Sequence, residues 1–398
     1  MNQSVIEKFR SELGQELDRI LAFWVNTMPD EKYGGFLGEL DFKGNPVPKS
    51  PKGIILNTRL LWTFSAVAQK TKQEEHRLMA DRAYDYLLAN FLDRKHGGVF
   101  WLVDFKGAVL NSRKQIYAQA FFIYALAEYF KLTKKEEALE LAVELFHLLE
   151  EKAADRNMGG YLDAFDERWQ ELEDMRLSEK DLNEKKILNT HLHLLEAYST
   201  LYTVYPNLEV KQALLGLIEL FQEKFVGEDF HLNMFFDEQW NVKSQLVSYG
   251  HDIETSWLLY EAGEVLHDDF MMEKLSATAV AMADVFVREG LDQDGSVLNE
   301  RDKANGHLDS DRHWWPQIEG IVGLINAWQL SANDLFLEKA LAIWKYTQAN
   351  LLDYEHGEWH WLVTAAGIPD RTMMKAGFWK CPYHNARGCL EALKRLPA

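Results

Sequence analysis

KHGGVFWLVD, residues 95–104, opens on a basic residue, a histidine and paired glycines, then runs into a short aromatic and aliphatic stretch closed by aspartate. KYGGFLGELD (32–41) precedes it and NMGGYLDAFD (157–166) follows; HLNMFFDEQW (231–240), DGSVLNERD (294–302) and HGEWHWLVT (356–364) are later versions, the fourth without its glycine. Gly35 lies 63 residues before Gly98, Gly98 lies 62 before Gly160, Gly160 lies 135 (two units) before Gly295, and Gly295 lies 62 before Gly357. A fixed period marks a repeat architecture, in which each unit needs neighbours to cover its apolar face.

Two helical patterns separate successive hairpins. ILNTRLLWTFSAVAQ (55–69) is apolar almost all round, whereas EEHRLMADRAYDYLLANFL (74–92) carries one apolar stripe and one charged face. The first kind is a buried helix and the second a surface helix. The pair recurs, so each unit reads as inner helix, outer helix, hairpin. Eleven helices fall between Ile55 and Leu396, and the opening helix, 3–27, supplies a twelfth as outer partner of the last inner one. The expected fold is all-α: an (α/α)6 barrel of six inner and six outer helices with short β-hairpins between repeats, residues 1–398 forming one catalytic domain. A long open solenoid is the structural alternative.

Composition narrows the function. No stretch is rich in Ser, Pro or Gly, so no linker is expected. The formal net charge of −19 argues against nucleic acid or an anionic membrane as partner. The opening helix is amphipathic and charged, unlike a secretion signal, and no run of about 18 apolar residues suggests a membrane span. With only Cys381 and Cys389 there is no disulfide framework, which fits the cytoplasm. Fifty aromatic residues, 13 of them Trp, exceed what a core needs and hint at a pocket for sugars or other flat ligands.

In such a barrel the starts of the inner helices meet at one end. They bring Arg59, Tyr117, Asn189 with His193, His251 with Glu254, Trp314 and Trp315 with Gln317 and Glu319, and His384 with Asn385 and Arg387. Polar groups at one level of otherwise apolar helices point to a solvated cavity. Blander readings exist for each: a lone helical histidine is usually a core or capping residue, Arg59 can bridge to Glu254 or Glu319, one of the two tryptophans can be packing, and Asn189 can cap its helix. Three histidines at equivalent positions weigh against the bland reading. His191 and His193 stand two apart, so their imidazoles diverge by about 200° and do not form a zinc pair. A glycoside hydrolase needs two carboxylates across the scissile bond, and only Glu254 and Glu319 stand near the mouth. Glu254, one turn from His251, is placed to polarise that imidazole. The charged stretch 165–186 reads first as a solvated loop, with a lid over the ligand as the functional alternative.

GHDIETSWLL, KCPYHN, NTHLHLLEAY and HWWPQIEG are similar to motifs of the N-acylglucosamine 2-epimerase superfamily, and GHDIE with KCPYHN resembles its cellobiose 2-epimerase branch. The resemblance runs from the first hairpin to the end of the chain. It implies the (α/α)6 barrel and epimerisation at C2 of the reducing-end sugar of β-1,4-linked disaccharides such as cellobiose, mannobiose or lactose. No metal and no cofactor is expected. The same resemblance implies proton exchange by His251 and His384 through a cis-enediolate, with His193 near O1 and O2 and Glu254 as the acid beside the first histidine. Arg59 and Asn189 would hold the oxygens. Tyr117, Trp314, Trp315 and Trp379 would surround the sugars, with Glu319 counted among the substrate-binding residues. The expected partner is a small disaccharide, and the chain is expected to act as a monomer or weak homodimer. Within the fold the alternative is a monosaccharide or N-acylglucosamine 2-epimerase or an aldose-ketose isomerase.

Overall fold

The computed structural model describes residues 3–397. Helix α1 (Gln3–Thr27) is followed by five inner and outer pairs: α2 (Ile54–Thr71) with α3 (Glu74–Asn90), α4 (Ile116–Thr133) with α5 (Glu136–Lys152), α6 (Leu188–Val204) with α7 (Leu208–Leu220), α8 (Tyr249–Leu266) with α9 (Asp269–Val285), and α10 (Trp314–Ser331) with α11 (Asp334–Asn350). Helix α12 (Tyr383–Arg395) ends the series. Each even-numbered helix packs on the next, α12 returns to α2, and α1 covers α12. The inner ring is therefore closed, as expected for the (α/α)6 barrel, and the open solenoid is ruled out. Helix α4 shows why these segments go inside: from Ile116 to Ala127 every residue is buried. Helix α5 keeps only the stripe Ala138, Ala142, Leu145, Phe146 and Leu149. Among the described residues no helix is long and apolar enough to cross a membrane.

The closing seam is polar and fully buried. Trp24 of α1 donates its indole N–H to Glu358 Oε2 at 2.8 Å, while Lys380 and Asn385 donate to Glu358 Oε1 at 2.9 and 2.8 Å. Trp359 donates to Glu16 Oε1 at 2.6 Å. A buried carboxylate is tolerable only with such a full set of donors.

The glycine hairpins are tight turns that follow each outer helix, bridged at Pro29–Phe36, Leu92–Val99, Ala154–Tyr161, Val226–Leu232, Leu291–Val297 and Leu352–Trp359. In DRKHGG, Asp93 Oδ1 accepts the backbone N–H groups of Lys95 and His96, and Oδ2 takes Lys114 Nζ at 2.7 Å. Asp30 with Lys52, Asp155 with Lys186 and Asp353 with Lys375 repeat this at 2.6 to 2.7 Å, and Asp292 with Arg312 is the fifth version. The four lysines are buried and each precedes the next inner helix or its approach. In the remaining unit Gly227 replaces the aspartate and Val247 the lysine. Both charges are missing together, because one alone would be buried unpaired.

That fourth unit also explains its missing glycine. Its turn has one left-handed residue, Phe230 at φ +63°, where the DRKHGG turn needs two, Gly97 at +76° and Gly98 at +74°. Gly98 is further confined because a Cβ there would lie 2.8 Å from both Gln119 Oε1 and Trp169 Cζ2. Gly98→Ala should therefore lower unfolding free energy by about 2 kcal/mol or more, read by urea denaturation, since the left-handed backbone alone costs ~1–2 kcal/mol.

Candidate active site

Register along the inner helices sorts the polar residues. In four of the six inner helices the fourth residue turns to the hairpin: Gln119 Oε1 accepts from Val99 N at 2.7 Å, Gln317 Oε1 from Val297 N at 2.8 Å, Asp252 Oδ1 from Leu232 N at 2.9 Å and His191 Nε2 from Tyr161 N at 3.0 Å. His191 is thus a structural pin, its Nδ1 held by Ile187 O at 2.8 Å. Positions two and six lie on the opposite side of the helix and share one face. They bring Tyr117, Asn189, Trp315 and His384 (second) and Arg59, His193, Glu254 and Glu319 (sixth) towards the barrel axis. His251 is the third residue of α8.

At the head of the inner helices a cavity of about 520 Å³ is lined by Arg59, Tyr117, Asn189, His193, His251, Glu254, Trp314, Trp315, Trp379 and His384. Ten of the eleven residues expected at the site line it together. Glu319 does not: it sits beneath the floor, fully buried, with Oε1 2.7 Å from His384 Nδ1 and Oε2 accepting Trp257 Nε1 at 3.1 Å. It is a partner of His384 and not a wall of the cavity. Both adjacent tryptophans face the cavity, Trp315 with its ring 4.8 Å from His251 and 5.5 Å from His384. The two imidazoles share one indole, which bounds their separation by the sum of those distances.

The partner of His251 also differs from expectation. Its Nδ1 lies 2.8 Å from Ser248 Oγ, on the residue before α8. Glu254 is drawn away to Arg387 Nη2 at 2.6 Å and stands 3.8 Å from His384 Nδ1. Arg387 explains this pull, since its guanidinium also binds Glu319 Oε1 at 2.7 Å, Glu196 and the Tyr383 hydroxyl. One cation thus faces three buried carboxylates. Burial raises Glu254 to about 8, with the Glu319 charge adding and Arg387 opposing. Burial raises Glu319 as well, against Arg387. For Glu196 the burial effect is outweighed by Arg387 and by the His193 hydrogen bond, which bring it down to about 2.

Burial also keeps the imidazoles neutral, His251 at about 3, His193 at about 4 and His384 well below its ordinary value. All three are bases at neutral pH. Arg59 is the opposite case. It is 3% exposed, yet among the described residues no carboxylate pairs with it; Nη2 donates to the Tyr117 hydroxyl at 2.7 Å, Nη1 to Trp379 O at 3.2 Å, and Nε has no partner. The alternative reading of Arg59 as a bridge to Glu254 or Glu319 is not met, since neither carboxylate pairs with it. A buried guanidinium without an anion is a ready site for one.

Glu254, Glu319 and His384 converge closely enough to suggest a metal trio. Arg387 already supplies the cation there, touching both carboxylates. The stretch 165–186 is more than solvated loop: Leu177, Ser178, Glu179, Lys180 and Asp181 form part of the cavity wall. Trp361, His313, Met373 and Met374 line it too and were not singled out from the sequence. Glu196 was missed although it stands one turn after His193 in NTHLHLLEAY, a carboxylate in an otherwise apolar helix.

Glu254 yields a pH test. Its carboxyl binds a proton in the folded state up to about 8 but releases it near its ordinary value of 4.5 when unfolded. The fold therefore holds the extra proton between these values, and Glu254 costs stability progressively as pH rises through that window. Glu254→Gln removes this titration. Its stability relative to the unsubstituted protein should climb by on the order of 2–4 kcal/mol from acid to alkaline pH and level off above the folded value, read by thermal melts across pH.

Comparison with known proteins identifies the family. Residues 35–387 match the N-acylglucosamine 2-epimerase (GlcNAc 2-epimerase) family. The chain is 43% identical to cellobiose 2-epimerase of Bacteroides fragilis over 97% of its own length and 99% of the relative's. It is 38% identical to the Dictyoglomus turgidum cellobiose 2-epimerase, over 98% of this chain and all of the other. The structure of cellobiose 2-epimerase from Bacillus thermoamylovorans superposes with a TM-score of 0.93 at 37% identity, covering 98% of this chain and 100% of that one. A barrel with its histidines, unpaired arginine and aromatic walls at one end, matched over nearly its whole length, therefore belongs to the N-acylglucosamine 2-epimerase family and is a carbohydrate epimerase, an isomerase.

Proposed function

We propose that the protein inverts C2 of the reducing-end sugar of a β-1,4-linked disaccharide, interconverting cellobiose and glucosyl-mannose and accepting mannobiose or lactose. The observation that carries this reading is the pair His251 and His384, neutral and set against one indole in a cavity roomy enough for two sugars. The similarity to cellobiose 2-epimerases supports the choice of a disaccharide.

Once the ring opens, the aldehyde makes the C2 proton acidic. One imidazole removes it, and the charge of the cis-enediolate develops beside Arg59, whose guanidinium pairs with no carboxylate among the described residues and is held by Tyr117, so that it costs no reorganisation at that moment. Inversion then requires a donor on the other face, because a single base returns its proton to the face it came from. The two imidazoles are not alike. His384 Nδ1 is oriented by the Glu319 carboxyl, whereas His251 Nδ1 faces the Ser248 hydroxyl. His193 moves protons among the sugar oxygens, and the indoles hold the sugar faces. A hydrolase is disfavoured, because Glu254 and Glu319 bind one nitrogen of Arg387 and so do not face each other across a bond.

The experiment is incubation with cellobiose in deuterated water, with and without EDTA, followed by NMR at C2. Deuterium at C2 with a manno product, undiminished by EDTA, supports the proposal. Cleavage to monosaccharides, or turnover of N-acylglucosamine with disaccharides inert, would replace it.

A further inference from the structure

A second cavity, of about 1060 Å³, opens at the opposite end of the barrel, where the inner helices finish. Its walls include Trp62, Ser199, Thr203 and Leu258, and Glu196 lies among them. Glu196 Oε2 is also 3.0 Å from Nδ1 of His193, and His193 lines the front cavity. One hydrogen bond between two buried residues thus joins a wall of the front cavity to a wall of the rear one. The groups that face Glu196 are His193, the Tyr383 hydroxyl at 2.6 Å and Arg387, with Glu254 held on the other nitrogen side of that guanidinium.

We propose that Glu196 is a positioning residue that holds His193 in its Nδ1–H tautomer, and that the rear cavity gives this pair a proton exchange route to water that stays open while a sugar fills the front. An ionised carboxylate accepts only, so it fixes the proton on Nδ1 and leaves the Nε2 lone pair facing the front cavity. When Nε2 takes a proton from a sugar hydroxyl, the sugar O–H bond breaks and an N–H bond forms. The Nδ1–H bond then breaks as Glu196 gains an O–H, and because Arg387 and the Tyr383 hydroxyl keep this carboxylate a weak base, it passes the proton at once to rear water. One proton leaves the sugar oxygen, its negative charge stays beside Arg59, and no electrons change hands. The reverse sequence returns it.

This inference rests on the epimerase reading above, and the unsubstituted protein tests that reading separately: if it fails to exchange C2 hydrogen, the reading falls first. With an active protein, Glu196→Ala should lose at least tenfold in kcat with little change in KM, and sodium formate should restore kcat without competing with cellobiose, since it enters from the rear. A folded Glu196→Ala that formate does not restore, or whose restoration competes with cellobiose, overturns the route. Should Glu196→Ala not fold, the isosteric Glu196→Gln serves, since its amide can present a donor to Nδ1. A lower kcat and a displaced pH profile are then expected, and a kcat and profile equal to the unsubstituted protein's would overturn the proposal.

Discussion

Replacing His384 with alanine is expected to lower epimerisation kcat by ~10³-fold while the barrel remains folded, because general acid–base catalysis by one positioned group contributes 10²–10⁴. The loss in stability should be small, since Glu319 keeps Arg387 and the Trp257 N–H as partners. Isotope exchange makes the prediction specific. With one base gone, the other can still remove and return the C2 hydrogen on its own face, so deuterium from solvent should enter only one of the two epimers, without inversion. His251→Ala should label the opposite epimer. Inversion near the normal rate in either variant, or labelling of the same epimer in both, would contradict the two-base account.

Arg387→Met should be the most destabilising single change in the site. It removes the cation from three carboxylates that are each 5% exposed or less, and breaking such a buried arrangement costs ~3–5 kcal/mol. Urea denaturation at about pH 9, above the folded value of Glu254 so that its carboxyl is ionised, measures it. Adding Glu254→Gln and Glu319→Gln to Arg387→Met should recover part of the loss, because neutral amides no longer need the guanidinium. If Arg387→Met unfolds within about 1 kcal/mol of the starting protein, the carboxylates are not held as charges by Arg387.

Much of this architecture is legible in the chain because it is periodic. The glycine turns announce a repeat, and the contrast between ILNTRLLWTFSAVAQ and EEHRLMADRAYDYLLANFL separates inner from outer helices. The helical period then puts Tyr117, Asn189, His193, Glu254 and His384 on the axis. What escapes is pairing over distance. The aspartate opening DEKYGG, DRKHGG, DRNMGG and DYEHGE is visible as a motif, but its lysine stands 21 to 31 residues on and carries no local mark. Arg387 and Glu196 are 191 residues apart, so nothing in either neighbourhood tells that the guanidinium gathers three glutamates. For the same reason His251 was matched to Glu254 by helical spacing, while the structure gives it Ser248, because a distant arginine outbids a near imidazole for the carboxylate. Leu177 to Asp181 join the cavity from an irregular stretch where no period operates.

Helix α12 shuts the ring: it packs on α10 and α2, is covered by α1 and carries both His384 and Arg387. During synthesis on the ribosome, therefore, five of the six inner helices emerge before either residue exists. Until α12 arrives, the glutamates at 196, 254 and 319 have no Arg387 to share and the front cavity lacks His384. The cavity and its carboxylate cluster are thus completed late and together, and a ribosome stalled shortly before residue 381 would hold a barrel with an open seam.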